Sequence, residues 1–161
     1  MNTIAQREMS ARVGTSTLNP DALKAAEDRR ENTRINISKE TTENLKRKVK
    51  GQIVLPSDPS YDEVREIWNA MIERRPALIV RCAEAGDVPH AISFARESGL
   101  EISIRGGGHN IAGNALCDNG VMIDFSTMRN VRVDAEKKRA YVEPGATLAD
   151  FDVLGHSRRR R

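Results

Sequence analysis

The stretch ALIVRCAEAGDVPHAISFARESGLEISIR, residues 77–105, decides the fold. ALIVRCA (77–83) is an apolar run of strand length, suited to a buried strand. In DVPHAISFARESG, Asp87 suits a helix N-cap, Val88, Ala91, Ile92 and Ala95 recur at helical spacing, and Gly99 suits the C-terminal stop. LEISIR (100–105) then reads as a second strand. Strand, helix and strand in so short a length make a βαβ unit.

Downstream, the second strand runs into RGGGHNIAG (105–113). After that loop come three strand-like segments with no helix between them: GVMIDF, VRVD and RAYVEPG, the last two separated by the charged turn Ala135-Glu136-Lys137-Lys138. Thr147 and Asp150 form a capping box that starts a further helix. Upstream, Ser60 and Glu63 make another capping box, and Tyr61, Val64, Ile67, Trp68 and Met71 share one face, which predicts a helix over 60–75 ended by Pro76. A short helix is expected over 41–50, with Leu45 and Val49 on one side and Gly51 at its end. Residues 1–40 are polar without period and read as a disordered leader. The fold class expected is α+β, a βαβ unit plus a short strand meander.

Composition narrows the functional classes. The 161 residues, 39% hydrophobic and 30% charged, suffice for one modest domain. No apolar run has the length of a membrane span, and the N-terminus has no signal-peptide pattern. With only two cysteines, a reducing, cytoplasmic setting is expected. The net charge of +3 divides into +4 over residues 1–50, −5 over 51–157 and +4 in the four terminal arginines. The body is thus acidic, and only 4% of residues are aromatic, so neither a nucleic-acid nor a membrane partner is expected. Cys82, His90, His109, Cys117 and His156 lack zinc-ligand spacing, and no metal is expected.

The glycine loop matches neither familiar phosphate motif. Gly106 and Gly108 fit the first two glycines of a dinucleotide fingerprint, but Ile111 stands at the third, and Asn114-Ala115 stand where a P-loop needs Lys-Ser/Thr. Consecutive glycines still let a backbone approach an anion and turn several N–H groups inward. The residues alone leave two readings open: a pyrophosphate cradle with His109 beside it as a nucleophile, or a glycine-rich turn with an ordinary surface histidine.

The segments VLPSDPSYDEVREIWNAMIERRPALIVRCAEAGDV, ISIRGGGHNIAGNAL, VMIDFSTMRNVRVD and YVEPGATLAD, in that order, resemble the berberine bridge enzyme-like FAD-linked oxidoreductases of the vanillyl-alcohol oxidase/p-cresol methylhydroxylase (PCMH) superfamily. The resemblance runs from Gly51 to about Phe151. It implies the first lobe of a PCMH-type FAD-binding domain over residues 41–152, with FAD as cofactor. It further implies that Arg105, Gly106, Gly107, Gly108, His109, Asn110 and Gly113 are cofactor-binding residues, with His109 bonded covalently to the flavin 8α-methyl. The parental activity implied is FAD-dependent oxidation of a small-molecule substrate. From about Val153 the tail VLGHSRRRR leaves the family's pattern and reads as a truncated end, so no catalytic residue carries over and self-association of the fragment is expected. The other function consistent with this reading is a non-enzymatic or partner-dependent module that binds no flavin.

Overall fold

A computed structural model describes residues 37–152; residues 1–36 of the leader expected over 1–40, and the basic tail after Asp152, lie outside the described residues. The elements are α1 (Lys39–Lys48), β1 (Gln52–Val54), α2 (Tyr61–Arg65), β2 (Leu78–Arg81), α3 (Asp87–Glu97), β3 (Ile102–Arg105), β4 (Val121–Asp124), β5 (Val131–Asp134) and β6 (Arg139–Val142). The helix expected over 41–50 begins at Lys39 instead, because the Ser38 hydroxyl accepts the Thr41 N–H at 3.1 Å and caps it there.

The βαβ unit forms as read, but its two strands are not neighbours. The four-stranded sheet has the order β1-β2-β4-β3. β4 pairs in parallel with both β2 and β3, and its Asp124 stands in register with Arg81 on one side and Arg105 on the other. β1 closes the other edge, antiparallel to β2. Of the three strands expected as a meander, only β5 and β6 form an antiparallel hairpin, in a separate sheet. The difference follows from composition. Val121, Met122 and Ile123 are apolar without alternation and are all buried, as a central parallel strand covered on both faces requires. VRVD and RAYV mix charged with apolar residues and stay largely at the surface.

Each face of the large sheet has its own core. Leu78, Val80, Val121 and Ile123 pack with Leu45 of α1 and Ala91, Phe94 and Ala95 of α3. Ile79, Met122 and Val54 pack on the opposite side with Tyr61, Val64, Ile67 and Leu116. The strand period of two divides neighbouring residues between these layers. Tyr61 spans its layer, donating its hydroxyl to the Pro76 carbonyl at 2.6 Å, and burial pushes its pKa up to about 12.

α3 ends as predicted. Gly99 has φ +65, and the Leu100 and Gly99 N–H groups return to the Ala95 and Arg96 carbonyls at 2.8 and 3.2 Å, a Schellman closure. Its start differs, since Gly86 occupies the N-cap and Asp87 is the first helical residue. The buried Asp87 carboxylate instead accepts the N–H groups of Lys50, Gly51 and Ala83 at 2.7–3.1 Å, tying the β1 approach to the α3 start. Burial pushes its pKa up, but the backbone donors outweigh burial and hold it below the ordinary carboxylate value.

The helix expected over 60–75 stops at Arg65. Ser60 makes no side-chain cap bond, and Glu66 turns to extended backbone at ψ 136. Trp68 and Met71, expected on one apolar helix face with Tyr61, Val64 and Ile67, are 70% and 90% exposed. Beyond Arg65 the chain follows a neighbouring loop, and the Trp68 N–H, which a continued helix would have paired within itself, donates to the Gly108 carbonyl at 3.0 Å.

Candidate functional site

β2, β4 and β3 end side by side at their carboxyl ends, and the last residue of each is charged: Arg81, Asp124 and Arg105. Asp124 is fully buried. Its carboxylate meets Arg81 Nε at 3.2 Å and stands 3.9 Å from Arg105 Nε. It also accepts the Ser126 N–H at 3.0 Å and the Ser126 hydroxyl at 2.8 Å. A buried carboxylate needs such partners to offset its lost hydration. Arg105 Nη1 donates to the Val64 carbonyl, and Arg105 Nε is buried without a hydrogen-bond partner. The guanidinium at the root of the glycine loop is therefore turned into the protein.

From Arg105 the loop runs along a groove of about 830 Å³. One wall is Gly106, Gly107, Gly108, His109 and Asn110, and the opposite wall is Ala146, Thr147, Leu148 and Ala149, with Ile104 and Ala115 between them. The three glycines have different constraints. A Cβ on Gly106 would lie 2.5 Å from the Pro144 carbonyl oxygen, so the loop runs close against the backbone just before the facing stretch. Gly108 has φ +76, a left-handed conformation that side-chain-bearing residues avoid. Gly107 is under neither constraint: its Cβ would meet nothing nearer than the His109 ring at 3.5 Å. Backbone is thus presented to the groove along three consecutive residues.

Of the seven residues read as a site from sequence, the structure brings Gly106, Gly107, Gly108, His109 and Asn110 to one wall. Arg105 and Gly113 are not among the lining residues. Gly113 turns at φ +76 and lies against Ile72, whose Cγ2 would be 2.8 Å from an added Cβ. Asn110 organises the turn, its carbonyl taking the Gly113 N–H at 3.2 Å and its carboxamide oxygen the Asn114 N–H at 2.9 Å. His109 is exposed, and its ring centroid lies 6.4 Å from that of Trp68, with planes tilted by 34°.

Sequence reasoning missed both the facing wall and the residues that brace the loop. The wall begins the helix predicted from Thr147 and Asp150, and residues 148–152 are helical. Asp150 accepts the Thr147 N–H and hydroxyl, each at 2.7 Å, and pairs with Arg129 at 2.8 Å. These bonds, the Thr147 N–H first, lower its pKa to about 2. The capping box marked this turn in the sequence, but nothing local marked it as facing the glycines. The two thiols take no part, since Cys82 and Cys117 are buried and burial pushes both pKa values up. Among the described residues no three His, Cys, Asp or Glu side chains are grouped to hold a metal ion, and no helix is long and apolar enough to cross a membrane.

A family model described as an FAD binding domain matches residues 76–157, which takes in βαβ, the glycine loop and the facing wall. The chain belongs to this FAD-binding family. It is 37% identical over 103 residues to (R)-6-hydroxynicotine oxidase of Paenarthrobacter nicotinovorans, covering 64% of this chain and 22% of that one. It is 41% identical over 105 residues to the FAD-linked oxidoreductase YgaK of Bacillus subtilis, covering 65% of this chain and 23% of that one. Berberine bridge enzyme-like 18 of Arabidopsis thaliana matches at 28% over 104 residues, 60% of this chain and 20% of that one. Among solved structures, 6-hydroxy-D-nicotine oxidase from Arthrobacter nicotinovorans superposes with a TM-score of 0.59 at 38% identity, over 61% of this chain and 22% of that one. The resemblance read from the motifs is borne out, as is the α+β fold of a PCMH-type FAD-binding domain in partial form. The chain spans about a fifth of the length of the curated relatives it matches.

Proposed function

We propose that residues 106–110 hold FAD by its pyrophosphate, that His109 is the residue to which the flavin is attached, and that the chain supplies the first part of the FAD domain of an oxidoreductase acting on a small organic molecule. One observation carries this reading: three consecutive glycines, 106–108, line the groove and bring only backbone to it, beside an exposed imidazole. Peptide N–H groups and glycine conformations of this kind suit a phosphate anion. The groove also fits in size, since ligand pockets run from about 300 to 1,000 Å³. When bound, the flavin would supply the redox chemistry, accepting a hydride from substrate. The chain's own contributions are to bind and orient: the Arg105–Asp124–Arg81 cluster fixes the root of the loop, Gly106 to Gly108 face the anion, and His109 stands at the rim.

Trp68, the chain's single tryptophan, lies beside His109 and supplies the test. Titrating the purified protein with FAD is expected to quench its indole emission in a saturable way that ADP-ribose competes with and excess riboflavin does not. No saturable quenching up to millimolar FAD would instead favour the module that binds no flavin.

A further inference from the structure

The chain from Val64 to Ile72 follows the glycine loop at several points, about forty residues away in sequence. Arg105 Nη1 reaches back to the Val64 carbonyl. The Trp68 N–H donates to the Gly108 carbonyl at 3.0 Å. The Asn69 carboxamide nitrogen donates to the Ile111 carbonyl at 2.8 Å, while its oxygen accepts the Met71 N–H at 3.2 Å. Gly113 closes against Ile72. Two of these bonds fall on carbonyls that flank His109-Asn110, and the Trp68 ring stands next to the imidazole itself. A tryptophan 70% exposed contributes little to a core, so packing gives a poor account of why an indole stands here.

We propose that Trp68 and Asn69 are positioning residues for His109: together they clamp the loop on both sides of the imidazole and limit the ring's orientations at the groove's rim. The inference rests on the reading of His109 as the flavin attachment residue, but the clamp itself can be tested without flavin. Asn69 fixes the loop backbone through its donor, and its own oxygen is held by Met71, which sets the carboxamide's orientation. Trp68 contributes twice, through a backbone N–H that any substitution but proline keeps and through a ring that only an aromatic replaces.

The full chain without flavin, isotope-labelled for NMR, gives the first measurement. Asn69→Asp keeps the acceptor and removes the donor. It is expected to speed hydrogen exchange at the Gly113 and Asn114 amides by about fivefold, the factor for one hydrogen bond of ordinary net strength, while amides of β2 and β4 keep their protection. Trp68→Ala is expected to displace the His109 ring resonances, and Trp68→Phe to restore most of the displacement. Unchanged loop exchange in Asn69→Asp, or His109 resonances indifferent to Trp68→Ala, overturns the clamp. The second measurement is the fraction of flavin that stays with the protein through acid denaturation after incubation with FAD, which Asn69→Asp and Trp68→Ala are expected to lower more than they weaken reversible FAD binding. If the unsubstituted protein retains none, attachment at His109 is refuted, and the exchange and resonance results still decide the clamp.

Discussion

At the scale of single residues, the three loop glycines separate requirements of the fold from requirements of a ligand. Gly106→Ala forces a Cβ to within 2.5 Å of the Pro144 carbonyl, and Gly108→Ala keeps a side chain at φ +76, which costs about 1 kcal/mol or more. Gly107→Ala meets neither obstacle. Its thermal midpoint is expected to stay within about a degree of the parent, since surface changes of this kind are usually near neutral, while its FAD affinity falls by about tenfold because the methyl group stands where the anion would approach. Calorimetry with the quenching titration checks both halves, and an unchanged affinity removes Gly107 from the cradle. For His109→Gln, reversible binding is expected to persist while the flavin comes away fully in acid. Flavin that resists acid in this variant would place the attachment elsewhere.

At the scale of elements, two acidic groups act at opposite depths. Asp124 is buried between two guanidinium groups at the ends of three strands, and Asp124→Ala is expected to cost about 3–5 kcal/mol, the range for breaking a buried ion pair from one side, read as the shift of a urea unfolding curve. Asp150 is exposed enough for its effect to be local. Its pKa is depressed from 3.8 to about 2, so the support it gives the Thr147 turn is full above the unfolded value and is lost as pH falls from about 4 to about 2. The Thr147 amide resonance is expected to move with that midpoint, and a midpoint near 4 would mean the cap is not formed. What could be read in advance follows the same division between local and distant causes. The β2, α3 and β3 pattern and the Thr147-Asp150 cap were legible because period and capping are set by neighbours in sequence. The early end of α2 was not, since the Trp68 N–H finds its acceptor at Gly108, and no spacing within 60–75 signals this. The central place of β4 had a usable sign in the unbroken apolar run Val121-Met122-Ile123, which suits burial on both faces better than a meander.

At the scale of the whole molecule, the groove is lined among the described residues by two stretches, 106–110 and 146–149, with Ile104 and Ala115, and β5 and β6 leave Tyr141 and Val142 44% and 50% exposed. The 161 residues alone are therefore expected to show no flavin-dependent peroxide formation with alcohols, sugars or phenols, and to self-associate through apolar surface. Peroxide assays and light scattering on the purified chain check this, and turnover by a monomer would mean that the two walls suffice. The sheet order carries a consequence in time as well as space. The middle strand of the parallel trio is the last of the three to leave the ribosome, so the inner edge of β2, whose other edge pairs with β1, and both edges of β3 have no partner in this sheet until Val121–Asp124 arrives. Strand edges held waiting are exposed to wrong pairing, and closing a sheet by insertion makes its formation depend on contacts distant in sequence. Pulse-labelled hydrogen exchange during refolding should show the amides of β2, β3 and β4 gaining protection in one kinetic phase, with the glycine loop following only after β4 has entered the gap.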